Sequence, residues 1–386
     1  MKIVRHIIFF VALFYLSACA TFISHAISLE NVAAPSGPYQ VGTQIMHMVD
    51  SDRIAWYKDG LNGPREMMVR AWYPAKPYDG DQKAPYNYNE KLIADMIAKG
   101  FGIPKSVMRT INRIDVNSWL NAQPVNESFP VLIFSHGHGA IKTQNTTQME
   151  ELASHGYVLF ACDHTYDAGI SVFPKNRVIR NKTDIPDGIS DKEKWGVREI
   201  QLDYRVGDVQ FLLDEMEEGK YLPQSLRNSL DLDNIGIFGH SFGGATSIVA
   251  SIEDDRIDAA LGLDAWFLSI PSTLIKKNLN KPFVHLGQVA WKEKDNYLKL
   301  DTLASVNSAQ SLRFDVQGST HYDFSDFSQF SKVSKKYGSG TIASDRIRFI
   351  MNSTIRDFFD QNLKQSISIS LNDYKSLYPE IIIKEY

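Results

Sequence analysis

Ten histidines and several serines are spread through this chain, but one serine stands in a setting that could give it chemistry. In "NIGIFGHSFGGATSIVA" (234–250) an apolar run meets a small-residue run, with Ser241 at the join and Gly239, Gly243 and Gly244 around it. The spacing Gly-x-Ser-x-Gly between a strand and a helix puts a serine on a tight turn, where flanking side chains would collide with both elements. The N-terminus of the following helix offers backbone N–H groups, that of Phe242 among them, to an oxyanion. Glycine and serine are common enough that the bare pattern recurs by chance, so the strand–turn–helix context carries the inference.

A serine hydroxyl attacks an ester only when a histidine takes its proton and an acid orients that histidine. In the chain order Ser, Asp or Glu, His, only two histidines follow Ser241. His285 lies inside "KPFVHLG", where a hydrogen-bonded core histidine is expected. His321, in "QGSTHYDF" after a strand, is the expected base. Among the acids between them, Asp264 ends a strand on the serine's edge of the sheet, and Asp295 follows the next strand on that edge; both stay open. Glu253, Asp254 and Asp255 lie at the far end of the helix after the turn, while Asp258 begins a strand and Asp315 lies within one. A second oxyanion donor is expected after "VLIFSHGHG", where Gly137 and Gly139 admit a close backbone approach and the N–H of His138 is best placed. His136 and His138 have no further ligands at metal spacing, so no metal or other cofactor is expected.

These residues need a scaffold with several strand ends on one edge. "EMMVRAWYPA" (66–75) alternates like an early strand ending at its proline, and "FPVLIFSHGHG" (129–139) and "GYVLFACDH" (156–164) are continuous apolar runs suited to buried parallel strands. Further strands are expected at "NIGIFGH", 256–264, 281–287 and 311–318, with helices at "QNTTQMEELASHG", 198–219, 243–252 and 344–363. This alternation means an α/β fold, a mostly parallel sheet with helices on both faces. Residues 76–128 and 165–197 break the alternation and read as insertions over one edge, within one domain spanning 37–386. A chain of 386 residues, 44% hydrophobic, is long enough for a large core, and a net charge of −4 presents no basic surface for nucleic acid.

The N-terminus reads as an export signal. Lys2 and Arg5 precede "HIIFFVALFYLSA", too short for a comfortable membrane span of about 20 residues. "LSAC" resembles a bacterial lipobox that would make Cys19 a lipidated new N-terminus, and "ACA" or "SHA" would suit ordinary signal peptidase. Residues 1–18 then form the signal and 19–36 a tether; removing Lys2 and Arg5 takes the charge from −4 to −6. Cys162, in "YVLFACDH", reads as a small core thiol.

"GPYQVG" (37–42), "VRAWYPA" (69–75), "FSHGHGA" (134–140), "LASHGYVLFACDH" (152–164), "GHSFGG" (239–244), "LDAWF" (263–267) and "HYDFSDF" (321–327) together resemble the secreted platelet-activating factor acetylhydrolases and their bacterial relatives. The resemblance runs over most of the mature chain. It implies the α/β-hydrolase fold, Ser241 as nucleophile, Asp264 as acid, His321 as base and oxyanion donors at Phe242 and His138. It also implies calcium-independent release of short or oxidised acyl groups from the sn-2 position of phospholipids. That family usually has leucine where this chain has His138, which leaves a backbone donor but changes the pocket wall. A general carboxylesterase or polyester hydrolase is the alternative within the class, and a non-catalytic surface lipoprotein the alternative outside it. The expected partners are a small ester and, through the anchor, a membrane surface, with no nucleic acid and no obligate protein partner.

Overall fold

A computed structural model describes residues 31–102, 105–109, 114–182, 185–330, 332–366, 369 and 371–386. The export signal, most of the tether and Cys19 lie outside these residues. Nine principal strands run in chain order: β1 (Gln40–Ile54), β2 (Pro64–Lys76), β3 (Phe129–Ser135), β4 (Val158–Asp163), β5 (Leu230–His240), β6 (Ala259–Leu263), β7 (Phe283–Gln288), β8 (Ser311–Val316) and β9 (Ile381–Glu385). They lie side by side as β9-β8-β7-β6-β5-β3-β4-β2-β1. The six strands from β8 to β4 are mutually parallel, while β2 and β1 on one side and β9 on the other pair antiparallel.

Alternate residues of the continuous apolar strands supply two separate cores. Ile133, Ile235 and Ile237 join the apolar faces of α3 (Asp191–Glu218), α4 (Phe242–Glu253) and α5 (Asp295–Val306). Leu132, Phe134 and Phe238 face the other way, onto α2 (Thr146–Ser154) and α6 (Ser344–Leu363). Strands buried on both faces by helices are what a parallel sheet requires, and they explain why these runs lack polar alternation.

Several expectations need adjustment. Strand β2 continues past Pro74 to Lys76: although Pro74 has no N–H to give, pairing with β1 runs on through Val41–Pro74 and Gln40–Ala75, and the Pro74 carbonyl accepts from Val125 N–H (2.9 Å). Helix α3 starts at Asp191, seven residues before the expected 198, because Ser190 and Glu193 form a capping box. Its first two turns therefore belong to the segment read as an insertion. The rest of that segment includes a hairpin, Ile170–Phe173 with Arg177–Arg180. The earlier insertion holds α1 (Glu90–Phe101), whose Ile93 packs with Ile141 and Ile170. Both insertions thus meet at the loop that follows β3.

Candidate active site

The parallel register brings the strand ends together. Ser135 pairs with Gly239, and Leu263 pairs with both His240 and Leu286, so Ser241 and Asp264 each stand one residue beyond the ladder on the same edge. Ser241 has φ 57° and ψ −118°, a backbone conformation that costs a non-glycine residue energy and must be held by its surroundings. Its N–H donates to Leu263 O (2.9 Å), and its carbonyl accepts from Trp266 N (2.9 Å) and Ala245 N (3.2 Å). The neighbouring glycines are required by contact. A Cβ on Gly243 would overlap the carbonyl oxygen of Ser135, and one on Gly244 would come within 2.5 Å of Ala265 Cβ.

His321 follows β8 and donates from Nδ1 to Asp264 Oδ2 at 2.6 Å. Asp264 is fully buried and accepts three further hydrogen bonds, from Gln288 N (3.1 Å), Gln288 Nε2 (2.8 Å) and Trp291 Nε1 (2.9 Å). Burial alone pushes its carboxyl up, but the bond and charge of His321 and the Gln288 amide outweigh burial and hold it below the usual value. Gly287 admits this packing, since a Cβ there would lie 2.8 Å from Asp264 Oδ1. Asp295, the other acid left open by sequence, is exposed in the first turn of α5.

A second histidine ties the turn to this pair. The ring of His240 lies 4.5 Å from that of His321. His240 donates from Nε2 to His321 O (3.0 Å), which leaves Nδ1 to accept from Gln144 Nε2 (2.7 Å). Burial, with the adjacent His321, pushes its pKa down to about 3, so the ring is neutral at pH 7. Gln144 Oε1 in turn accepts from Gly137 N–H (2.7 Å), joining the loop after β3 to the His321 loop through side chains.

That loop is held from below by α3. Arg205, fully buried, pairs with Asp167 and donates to His136 O (2.7 Å) and Gly137 O (3.3 Å). Asp167 accepts from His138 Nδ1 (2.8 Å); burial would raise its carboxyl, but the Arg205 charge and the His138 bond hold it well below the usual range. A deeper set couples Arg65 and Arg53 to Asp208, Asp208 to His164 Nδ1 (3.0 Å), and His164 Nε2 to Ser135 Oγ (2.9 Å). The rings of His138 and Phe242 meet edge to face with their centres 6.2 Å apart.

His285 departs from expectation. It is buried in β7 as foreseen, but neither ring nitrogen finds a hydrogen-bond partner among the described residues. Burial pushes its pKa down to about 3, and the neutral ring packs edge-on to Phe267 at 5.4 Å and Tyr297 at 5.7 Å. Sequence reasoning passed over Gln288, Trp291, Gln144, Asp167 and Arg205. Of these only Gln288 carried a signal, as the polar residue closing an apolar strand on the serine's edge. Among the described residues no group of three or more His, Cys, Asp or Glu is placed to hold a metal ion.

A mostly parallel sheet flanked by helices, with a serine on a left-handed turn between strand and helix and a buried Asp–His pair beside it, defines an α/β-hydrolase. The chain belongs to the family described as "Platelet-activating factor acetylhydrolase, isoform II", whose profile matches residues 26–367, and it is a carboxylic-ester hydrolase. It is 24% identical over 390 residues to the platelet-activating factor acetylhydrolase of Cavia porcellus, a match covering 90% of this chain and 83% of that one. The corresponding protein of Canis lupus familiaris is 27% identical over 231 residues, covering 54% of this chain and about half (51%) of the relative. A probable 1-alkyl-2-acetylglycerophosphocholine esterase of Arthroderma benhamiae is 23% identical over 378 residues, covering 90% and 92%. Among solved structures, a ferulic acid esterase from Streptomyces cinnamoneus superposes with a TM-score of 0.77 at 27% identity, covering 92% of this chain and 99% of that one.

Proposed function

We propose that this enzyme releases short acyl groups from the sn-2 position of phospholipids through an acyl-enzyme on Ser241. The observation that carries the reading is the 2.6 Å contact of His321 Nδ1 with buried Asp264 beside the strained serine turn. With Nδ1–H committed to Asp264, His321 Nε2 is the nitrogen that accepts the Ser241 proton as Oγ attacks the ester carbonyl. The N–H groups of Phe242 and His138 stabilise the oxyanion of the tetrahedral intermediate. Protonated Nε2 then gives its proton to the leaving alcohol oxygen, and the acyl group remains on Ser241. Water, deprotonated by the same nitrogen, hydrolyses that ester and restores the serine. Asp264 holds the tautomer and offsets the imidazolium charge in both halves.

The relatives named as acetylhydrolases support an acetylated phospholipid as substrate. The matching ferulic acid esterase supports a second reading, an aromatic ester, and Trp266 favours it by packing 5.7 Å from Phe242 and 5.8 Å from Trp195. Rates on sn-2 acetyl and long-chain phospholipids, a feruloyl ester and p-nitrophenyl esters, each with and without EDTA, separate these. A selective acetyl-phospholipid activity that EDTA leaves intact is expected; preference for the feruloyl ester supports the second reading, and activity that is lost with EDTA and returns with calcium contradicts the mechanism. For location we propose export with lipidation at Cys19, motivated by "LSAC"; among the described residues no helix is long and apolar enough to cross a membrane. Cys19→Ala should shift the protein from membrane to soluble fraction or block processing, and identical fractionation of both forms contradicts the anchor.

A further inference from the structure

We propose that Arg198 recognises an anionic oxygen on the ester substrate, carried either by a phosphodiester or by a terminal carboxylate. The proposal rests on the esterase reading above and adds the group that selects its substrates. Arg198 is 8% exposed and lies near the N-terminal end of α3, with its guanidinium 5.3 Å from the centre of the Trp266 ring. Trp266 touches Phe242, and Arg198 NH1 lies 3.5 Å from His138 Nε2. The guanidinium is therefore one side chain away from both proposed oxyanion donors.

Its hydrogen bonding is incomplete. NH1 donates to Gln201 Oε1 (2.7 Å), while the Nε–H is buried with no partner among the described residues. Among those residues Arg198 also forms no ion pair. The fully buried Arg65 and Arg205 contrast with it, being neutralised by Asp208 and Asp167. Asp167 is engaged by Arg205 and His138, so its charge favours the Arg198 cation only from beyond ion-pair distance, while Arg205 opposes it. A desolvated cation without a counter-charge is costly, and a site that meets its counter-charge only when substrate arrives turns that cost into selectivity. The planar guanidinium matches the paired oxygens of a phosphate or carboxylate.

Three esters distinguish the possibilities: a short-chain sn-2 acetyl phosphatidylcholine, p-nitrophenyl glutarate with its terminal carboxylate, and neutral p-nitrophenyl butyrate. The readout is the ratio of kcat/KM for each charged ester to that for the neutral one, in wild type, Arg198→Gln and Arg198→Lys, so a general loss of catalytic power cancels. Arg198→Gln should lower one ratio about ten- to hundredfold, the range for a hydrogen bond to a charged group, and Arg198→Lys should keep part of it. The ratio that falls names the source of the anion. Unchanged ratios overturn the proposal and leave the esterase reading standing, whereas wild-type protein inactive on all three overturns that reading instead. Calorimetric binding of glycerophosphocholine and glutarate to Ser241→Ala, with and without Arg198→Gln, reads the same site without turnover. Weaker binding of one ligand in the double variant supports the assignment, and equal affinity overturns it.

Discussion

Asp264 and Asp295 began as rivals on the same sheet edge, and their surroundings differ in a way that mutation can read. Asp264 is buried and meets four donors, while Asp295 sits exposed at the start of α5. Asp264→Asn should lower kcat/KM by about 10⁴ with the fold intact, because an amide favours the wrong histidine tautomer. Asp295→Asn should remain within about twofold of wild type; the reverse pattern would move the acid one strand along. At this scale the sequence carried much of the site, since chain order and strand ends alone singled out Ser241, His321 and two acids. What it concealed were partners that reach the site from distant segments. Gln144 bridges Gly137 and His240, and Arg205 reaches the loop after β3 from the middle of α3; neither contact leaves a local pattern.

Elements positioned by continuous apolar runs were legible, and α6 matches its expected limits, 344–363. Strand β1 was absent from the residue pattern and touched only by the resemblance of "GPYQVG" (37–42), since its 15 residues mix buried and half-exposed positions on the antiparallel side of the sheet. Helix α5 was hidden by the charged "WKEKDNY" that opens it, which reads as a solvated loop; only Leu300, Leu303 and their neighbours reach the core. The turn itself makes the sharpest prediction for an element. Because β3 and α4 meet at Gly243 without room for a Cβ, Gly243→Ala must push the helix off the strand end. A loss of about 3 kcal/mol or more in urea unfolding is expected, with activity falling alongside. Near wild-type stability and turnover would mean that the turn tolerates a displacement this geometry forbids.

Over the whole molecule, buried imidazoles should set the response to acid. Burial lowers the pKa of His164 to about 4 and of His240 and His285 to about 3, and it holds His136 well below its usual value. Unfolding returns each to about 6.5, so between pH 6.5 and 4 the unfolded chain binds more protons at these positions. Their stabilising contribution is present above pH 6.5 and is lost as pH falls through that window. Asp326 runs the other way: burial raises its carboxyl to about 7, so its contribution is complete below about pH 4 and fades as pH rises to 7. Burial also raises the carboxyls of Asp203, Glu215, Asp258, Asp315 and Asp357. Asp167, Asp208 and Asp264 are instead held low, and their contribution is lost with that of the imidazoles as pH falls. The four imidazoles and these low carboxylates outweigh the raised ones, leaving a net loss on acidification of about 1.4 kcal/mol per pH unit for each net proton. The urea midpoint should drop from pH 7.5 to 6 and again to 5; a level or rising midpoint contradicts this balance. Of these groups only His285 was legible as buried in the sequence, from its place inside an apolar strand; the partners and desolvation of the others leave no local pattern. The proposed acyl-enzyme mechanism comes down to one covalent bond. Incubation with a fluorophosphonate followed by peptide mass mapping should place a single adduct on Ser241, with no labelling of Ser241→Ala and no ester turnover by that folded variant. An adduct on another residue, or a Ser241→Ala protein that still hydrolyses esters at a comparable rate, would contradict the assignment of Ser241 as nucleophile.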